Sequence, residues 1–249
     1  MIELERHDGV AELRLSKSVT NPIDLELIAA LHTAVREVRD DPDIRAVVLG
    51  SANDKFLSIG FDIPNLFPLD REDFREFYRA FNRVFTDLYS LPKPVVAALT
   101  GHAIAGGCVL ALAADDRVAA EGRKLIGLNE VKLGVPVPFP ADCAVRALLP
   151  TRHAKAVIED GEFHESAAAL GMGLVDEVRP LDEVWVAATE RAARKGATPG
   201  GAWAIIKANR VDPVLAEVRA RRTEREEAFL DCWFAPGTRE KLEAAIANF

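Results

Sequence analysis

Two segments of this 249-residue chain carry residue types that could do chemistry together. Residues 101–108 read GHAIAGGC, directly after the apolar run Val95–Leu99 and before a helix-like stretch. Glycines at a strand-to-helix turn let bare backbone N–H groups approach a ligand, and the helix dipole adds positive potential there. Residues 125–138 then offer one carboxylate, Glu130, among aliphatic neighbours. Together the segments predict an enzyme that stabilises an oxyanion and moves a proton beside it.

A second candidate donor lies in the segment 57–62, which reads LSIGFD. Here Gly60 follows a short apolar strand and leads to the acidic Asp62. Two backbone donors that converge on one oxygen form an oxyanion hole, and loss of one donor typically costs about 100- to 1000-fold in rate. Taken alone, both glycine segments also fit ordinary strand exits, with Asp62 as a helix cap.

The composition excludes several classes of protein. A hydrophobic fraction of 49% and a charged fraction of 28% are typical of a globular protein, and the net charge of −8 argues against a nucleic-acid partner. The three cysteines, Cys108, Cys143 and Cys232, are widely spaced and match no metal-ligand pattern, so no metal is expected. The chain has no apolar run of membrane-spanning length and no signal-peptide pattern at residues 1–6. We therefore expect a cytoplasmic protein without a membrane partner.

Strands alternate with helices through the first two thirds of the chain, which predicts an α/β fold with a mostly parallel sheet. The predicted strands are Ile2–Arg6, Val10–Leu15, Ala46–Leu49, Val95–Leu99, Arg117–Ala120, Leu125–Gly127 and Leu174–Val178. The predicted helices are Leu25–Arg39, Asp70–Tyr89, Gly106–Ala114, Gly201–Asn209, Pro213–Phe229 and Thr238–Ala247. We expect a core over residues 1–195 and a C-terminal helical segment over residues 196–249.

The motifs and their order resemble the crotonase (enoyl-CoA hydratase/isomerase) superfamily over nearly the whole chain. The resemblance rests on the segments 57–62 and 101–108, with support from 21–24 (NPID) and 171–178 (GMGLVDEV). It implies a crotonase-like spiral of ββα units with a C-terminal helical segment. It also implies that the N–H groups of Ile59 and Gly106 form the oxyanion hole. Further residues are implied to bind the substrate: Leu57, Gly60, Phe61, Asp62 and Gly107.

The acid and base positions distinguish the chemistries that this superfamily carries out. Hydratases of the superfamily use two glutamates, and the first of these positions is Val109 here, which cannot transfer protons. The second position is Glu130. The sequence around it resembles the mitochondrial-type Δ3,Δ2-enoyl-CoA isomerases: Asn129 precedes the glutamate, and the segment 137–141 contains no glycine.

The resemblance therefore implies a one-glutamate isomerase that converts 3-enoyl-CoA to 2-enoyl-CoA. Glu130 takes a proton from C2 and returns it at C4 while the backbone N–H groups hold the thioester oxygen. Coenzyme A is part of the substrate, and no separate cofactor is expected. By analogy the chain forms a trimer or a hexamer, with residues 196–249 in trimerisation or as a cover of the pocket.

Two alternatives stay open. One is another crotonase-type reaction, such as hydration or thioester hydrolysis, for which Asp62 or Asp142 could supply a second carboxylate. The other is a non-catalytic homologue that binds acyl-CoA.

Overall fold

The computed structural model describes residues 1–246, and within them lie ten strands and eleven α-helices. The strands are β1 (Ile2–His7), β2 (Val10–Leu15), β3 (Ala46–Ser51), β4 (Phe56–Ser58), β5 (Val95–Leu99), β6 (His102–Ile104), β7 (Asp116–Ala120), β8 (Leu125–Gly127), β9 (His164–Glu165) and β10 (Glu177–Arg179). The helices are α1 (Leu25–Asp40), α2 (Ile63–Leu66), α3 (Arg71–Tyr89), α4 (Gly106–Leu112), α5 (Glu130–Leu133), α6 (Phe139–Leu148), α7 (Thr151–Glu159), α8 (Ser166–Met172), α9 (Val184–Gly196), α10 (Ala202–Trp233) and α11 (Pro236–Ile246).

The ten strands form two sheets. The larger has the order β1-β2-β3-β5-β7-β10 and is parallel except for the β1–β2 hairpin. The smaller has the order β4-β6-β8-β9, with β4, β6 and β8 parallel. The pairs β3–β4, β5–β6 and β7–β8 each start in the larger sheet and end in the smaller one. This repetition is the predicted spiral of strand pairs and helices.

Burial on both faces explains why the central strands are continuous apolar runs. Every residue of β3 and β5 is buried. One face packs on α9, through Val184, Ala188 and Ala192, and the other packs into the main core with α1 and α3. Parallel strands covered on both sides need apolar residues at each position, so the pattern does not alternate.

Two predicted boundaries are wrong. The segment predicted as the strand Leu174–Val178 pairs only from Glu177 to Arg179, because the N–H groups of Leu174 and Val175 bond back to the Ala169 carbonyl of α8 and both residues are buried in the core. The two helices predicted on either side of Pro213 form the single helix α10. Proline removes one helix hydrogen bond, but the buried residues Val211 and Val214 flank it and tertiary packing keeps the helix continuous. The last residue of the predicted helix Thr238–Ala247 and the end of the predicted segment 196–249 lie outside the described residues.

A buried ion pair fixes α10 to the larger sheet. The Lys207 Nζ donates to Asp115 Oδ2 at 2.8 Å, and both side chains are almost fully buried. Arg210 also pairs with Asp115, whose Oδ2 accepts the backbone N–H of Val95 at 2.8 Å. Burial lowers the pKa of Lys207, and the neighbouring carboxylate opposes that shift.

Lys207→Met is expected to lower the free energy of unfolding by about 3 kcal/mol, because it leaves a buried carboxylate with only one cationic partner. Urea denaturation of the two proteins measures the difference. The double variant Asp115→Asn/Lys207→Met should recover part of the loss. A single variant as stable as the wild type would show that the ion pair does not anchor the helix.

Candidate active site

A cavity of about 270 Å³ lies between the smaller sheet, α5 and the C-terminal helices. Its walls are almost entirely apolar. They comprise Ile59, Phe61, Ile63, Ile104, Ala105, Gly106, Asn129, Glu130, Leu133, Val135, Pro138, Phe163, Phe229, Trp233 and Ala245. Of these lining residues, Glu130 alone is ionisable. The cavity therefore combines one carboxylate with a mostly apolar lining, an environment that suits proton transfer.

A second cavity of about 590 Å³ is larger but has a different character. It lies between α6 and α10, and its charged lining residues include Asp142 and Arg146, which pair with each other at 2.7 Å. Asp142 is therefore already partnered, and it lines this cavity rather than the one that holds Glu130. We regard the smaller cavity as the candidate active site on chemical grounds.

Glu130 begins α5, directly after the end of β8. Its side chain is buried, with 7% of the residue exposed, and Oε2 has no hydrogen-bond partner among the described residues. Burial raises the pKa of Glu130 to about 7, while hydrogen bonds from the backbone of Glu130 and Asn129 partly oppose the shift. No cation contributes to this shift. A carboxyl group that titrates near neutrality can both accept and return a proton.

The turn before α4 presents the Gly106 N–H. Ala105 has φ 49° and ψ −122°, a backbone conformation that costs a non-glycine residue free energy, and Gly106 follows it as the first residue of the helix. The Gly106 N–H donates no hydrogen bond within residues 1–246. The helix can start here only because Gly107 has no side chain: a methyl group on Gly107 would lie 2.3 Å from the Ser58 carbonyl oxygen.

The structure contradicts the prediction that Ile59 supplies the other donor. The Ile59 N–H donates to the Thr20 carbonyl at 2.9 Å, so it is not available to a ligand, although its side chain lines the cavity. The Phe61 N–H, two residues later, has no acceptor anywhere in the described part of the chain. A methyl group placed on Gly106 would lie 3.2 Å from Phe61 Cδ1, so Phe61 and Gly106 are neighbours at the cavity wall.

Gly60 allows the two donor segments to approach each other. Its φ of 102° lies in the region that favours glycine. A methyl group on Gly60 would lie 2.9 Å from Ala105 Cβ and 3.0 Å from the Gly106 nitrogen. The approach of these two backbone segments is therefore closer than any side chain would permit.

Of the five predicted substrate-binding residues, only Phe61 lines the cavity, whereas Leu57, Gly60, Asp62 and Gly107 do not. Leu57 is buried in the core, and its carbonyl oxygen accepts a hydrogen bond from Asn21 Nδ2 at 3.1 Å. Asp62 caps α2 and pairs with Lys17 Nζ at 3.2 Å. Val109, at the position of the first hydratase glutamate, is also fully buried in the core. Within residues 1–246, the second carboxylate that hydration would need is thus missing from this cavity, because Asp62 and Asp142 are both engaged elsewhere.

The aromatic residues of α10 that line the cavity were not predicted from the sequence. Phe229 and Trp233 are fully buried and one helical turn apart, and Trp233 stacks on Phe74 of α3 with ring centroids 4.2 Å apart. Trp233 also contacts the Phe61 ring edge-on, at 6.4 Å. Their spacing of four residues is typical of any helix face that packs on a core, so it gave no signal specific to a site.

Comparison with known families identifies the scaffold. The sequence model of the enoyl-CoA hydratase/isomerase family matches residues 5–235. The chain belongs to this family. Its relatives include proteins named as isomerases and proteins named as hydratases. The chain is 30% identical over 185 residues to the mitochondrial enoyl-CoA delta isomerase 1 of Rattus norvegicus. It is 32% identical over 222 residues to a probable enoyl-CoA hydratase of Mycolicibacterium paratuberculosis. The match to the rat protein covers 74% of this chain and 64% of the rat protein. The match to the mycobacterial protein covers 89% of this chain and 85% of that protein.

Among solved structures, the chain is similar to human mitochondrial delta3-delta2-enoyl-CoA isomerase. The TM-score is 0.95 at 25% sequence identity, and the match covers 99% of this chain and 97% of the human one. The predicted crotonase-like spiral is thereby confirmed. None of the helices within residues 1–246 is both long and apolar enough to cross a membrane.

Proposed function

We propose that this family member isomerises 3-enoyl-CoA to 2-enoyl-CoA with a single glutamate. The observation that carries the proposal is one buried carboxylate, whose Oε2 has no hydrogen-bond partner among the described residues, in a cavity that is also lined by Phe61 and Gly106, two residues whose backbone N–H groups donate no hydrogen bond within residues 1–246. The names of the rat and human isomerases support the same reaction. Coenzyme A is the carrier of the substrate, and no step of this reaction needs another cofactor or a metal.

The reaction proceeds in two proton transfers. The ionised Glu130 takes a proton from C2, and the electron pair of that C–H bond forms a dienolate whose charge rests on the thioester oxygen. The N–H groups of Phe61 and Gly106 stabilise that oxygen. When the carbonyl forms again, the double bond moves to C2–C3 and the former C3–C4 double bond takes the proton from Glu130 at C4. One carboxyl group thus serves first as base and then as acid.

The apolar residues that cover the cavity favour these two proton transfers over hydration. Phe229 and Trp233 close the cavity from the C-terminal segment, so the segment's proposed role includes covering the pocket of its own chain. Syn addition of water across the double bond requires a second group that activates water, and the described residues that line the cavity include no second carboxylate. Apolar walls also help to shield a dienolate from solvent. Assembly into a trimer or hexamer remains a prediction from the family resemblance.

Product analysis tests the proposed function. The wild-type protein is incubated separately with 3-hexenoyl-CoA and with 2-hexenoyl-CoA, and the products are separated and identified by mass. We expect the 3-enoyl thioester to become the 2-enoyl thioester, with little 3-hydroxyacyl-CoA formed from either. Fast hydration of 2-hexenoyl-CoA would favour a hydratase, and release of free coenzyme A would favour a thioesterase. Binding without any turnover would favour a non-catalytic acyl-CoA-binding protein.

The pH dependence follows from the pKa of Glu130, about 7 in the folded protein. Only the ionised carboxylate accepts a proton, so kcat/KM for 3-hexenoyl-CoA should be constant above pH 7 and fall about tenfold per pH unit below it. Initial rates between pH 5 and 9 in buffers of constant ionic strength measure this profile. A plateau that extends down to pH 5 would contradict a base of raised pKa.

A further inference from the structure

The segment 20–23 binds the segment 57–62 by backbone hydrogen bonds that leave one amide free. Thr20 O accepts the Ile59 N–H at 2.9 Å. The Ile23 N–H donates to Gly60 O at 2.8 Å, and Ile23 O accepts the Asp62 N–H at 2.9 Å. The amide between these bonds is that of Phe61, the donor proposed above. The position of this donor therefore depends on a segment almost 40 residues earlier in the chain.

Asn21 lies at the centre of this arrangement. It is fully buried and has φ 42°, a conformation that costs most side chains free energy but that asparagine tolerates. Its Nδ2 lies within hydrogen-bond distance of three oxygens: Leu15 O at 3.2 Å, Ser51 Oγ at 3.0 Å and Leu57 O at 3.1 Å. Its Oδ1 accepts the N–H groups of Lys17 and Ser18 at 3.0 and 3.1 Å. The Asn21 side chain thus bonds to residues of β2, β3 and β4 and holds these strands together.

The main chain of Asn21 continues the connection to the donor. The Ser58 hydroxyl donates to Asn21 O at 2.7 Å, and Ser58 Oγ accepts the Gly60 N–H at 3.0 Å. Each backbone N–H from Ile59 to Asp62 except that of Phe61 therefore has a partner within this network. Because the peptide bond after Gly60 carries the Phe61 N–H, the network sets the direction in which that N–H points.

We infer that Asn21 is a positioning residue for the oxyanion donor Phe61. This inference rests on the proposed function. Asn21 does not line the cavity, so its effect passes through Leu57, Ser58 and Gly60 to the Phe61 amide. Displacement of a catalytic group by about 1 Å can cost 100-fold in rate, which is why a buried polar network behind a donor matters for turnover.

Asn21→Gly tests the inference. Glycine adopts φ 42° without strain, so the substitution removes the side-chain hydrogen bonds while it preserves the backbone conformation. The matched control is Asn53→Gly. Asn53 also bonds Ser51 Oγ, at 3.0 Å, but makes no bond to residues 57–62. Should Asn21→Gly fail to fold, Ser58→Ala tests the next step of the same connection, because it removes the link between the main-chain carbonyl of Asn21 and the Gly60 N–H.

Two readouts separate positioning from a merely structural role. The first is the infrared stretch of 2-hexenoyl-CoA labelled with ¹³C at the thioester carbonyl, which moves to lower wavenumber when oxyanion donors polarise the bound carbonyl. The second is the division of the kinetic effect between kcat and KM. We expect Asn21→Gly to lose part of the carbonyl shift and to lower kcat by about 10- to 100-fold with KM changed by less than about threefold. Asn53→Gly should retain the wild-type shift and kcat.

The inference and the proposed function fail in different ways. A folded Asn21→Gly protein with the wild-type carbonyl shift and kcat would overturn the positioning role and leave the oxyanion hole intact. Equal losses in Asn21→Gly and Asn53→Gly would also overturn it, because they would indicate a general structural effect. A wild-type protein that does not shift the carbonyl on binding would overturn the proposed oxyanion hole itself, and the inference with it.

Discussion

Glu130→Gln is expected to lower kcat for the isomerisation of 3-hexenoyl-CoA by about 100- to 10,000-fold, with little change in KM. Glutamine has nearly the same shape as glutamate but cannot accept the C2 proton. Among the lining residues that the structure describes, no other side chain is ionisable and could replace it. Steady-state kinetics with 3-hexenoyl-CoA measures the effect.

The same substitution should increase stability at alkaline pH. The carboxyl group has a pKa of about 7 in the folded protein, against 4.5 for a glutamate exposed to solvent, so the folded state holds the proton more tightly than the unfolded state. The free energy of unfolding therefore falls as the pH rises from about 4.5 to 7. Above pH 7 the buried, ionised Glu130 lowers it by the full amount of about 3 kcal/mol. Glu130→Gln should thus unfold at a higher temperature than the wild type at pH 8 and at nearly the same temperature at pH 4.

Glu162→Gln is the matched control for the loss of a nearby carboxylate. Glu162 is exposed and pairs with Lys132 on α5 at 2.8 Å, next to the lining residue Phe163. This control should retain wild-type kcat. An active Glu130→Gln protein, or an equal loss in both variants, would contradict the assignment of Glu130 as the proton-transfer group.

Gly60→Ala should lower kcat by about 100-fold or more, because it displaces both oxyanion donors at once. The added methyl group would lie 2.9 Å from Ala105 Cβ and 3.0 Å from the Gly106 nitrogen, and alanine disfavours φ 102°. The backbone on either side of the cavity must then separate. Kinetics with 3-hexenoyl-CoA and thermal unfolding of the variant measure both effects.

Gly122→Ala separates backbone strain from displacement of the donors. Gly122 has a similar positive φ of 84°, but a methyl group there meets nothing within 4 Å. Both substitutions should cost stability, by about 1 to 3 kcal/mol each, because alanine is strained at either position. Only Gly60→Ala should lose activity beyond the unfolded fraction. Similar activity of the two variants would contradict a role of this close approach in catalysis.

The alternation of strands and helices predicted the α/β fold, but most strands of the smaller sheet could not be predicted from the sequence. Its strands β4 and β6 have three residues each, which is too short for an alternating pattern to emerge. The continuity of α10 through Pro213 was equally hidden, because local propensity disfavours it and only the packing of Val211 and Val214 explains it. Local signals thus predicted the long elements, whereas tertiary contacts decide the short and the irregular ones.

The same contrast between local signals and tertiary contacts applies to the candidate site. The sequence predicted Glu130 and Gly106, and the structure brings both to one cavity. The resemblance of the segment 57–62 assigned the other donor to Ile59 rather than to Phe61, because a sequence motif does not reveal which backbone amides are already hydrogen-bonded. Pairing with Thr20 and Ile23, together with the positive φ of Gly60, decides that only Phe61 is free.

The transfer of label from C2 to C4 tests the single-glutamate mechanism most directly. The substrate is 3-hexenoyl-CoA with deuterium at both C2 positions, and the product is analysed in ordinary water during the first few per cent of conversion. Because Glu130 is buried in an apolar cavity, the deuteron that it removes should be returned at C4 before complete exchange with solvent. We therefore predict 2-hexenoyl-CoA with deuterium at C4. Product that carries only solvent hydrogen at C4 would contradict a single-glutamate shuttle shielded from solvent, because Glu130 would then exchange its deuteron with water within each turnover, or a second group would supply that proton.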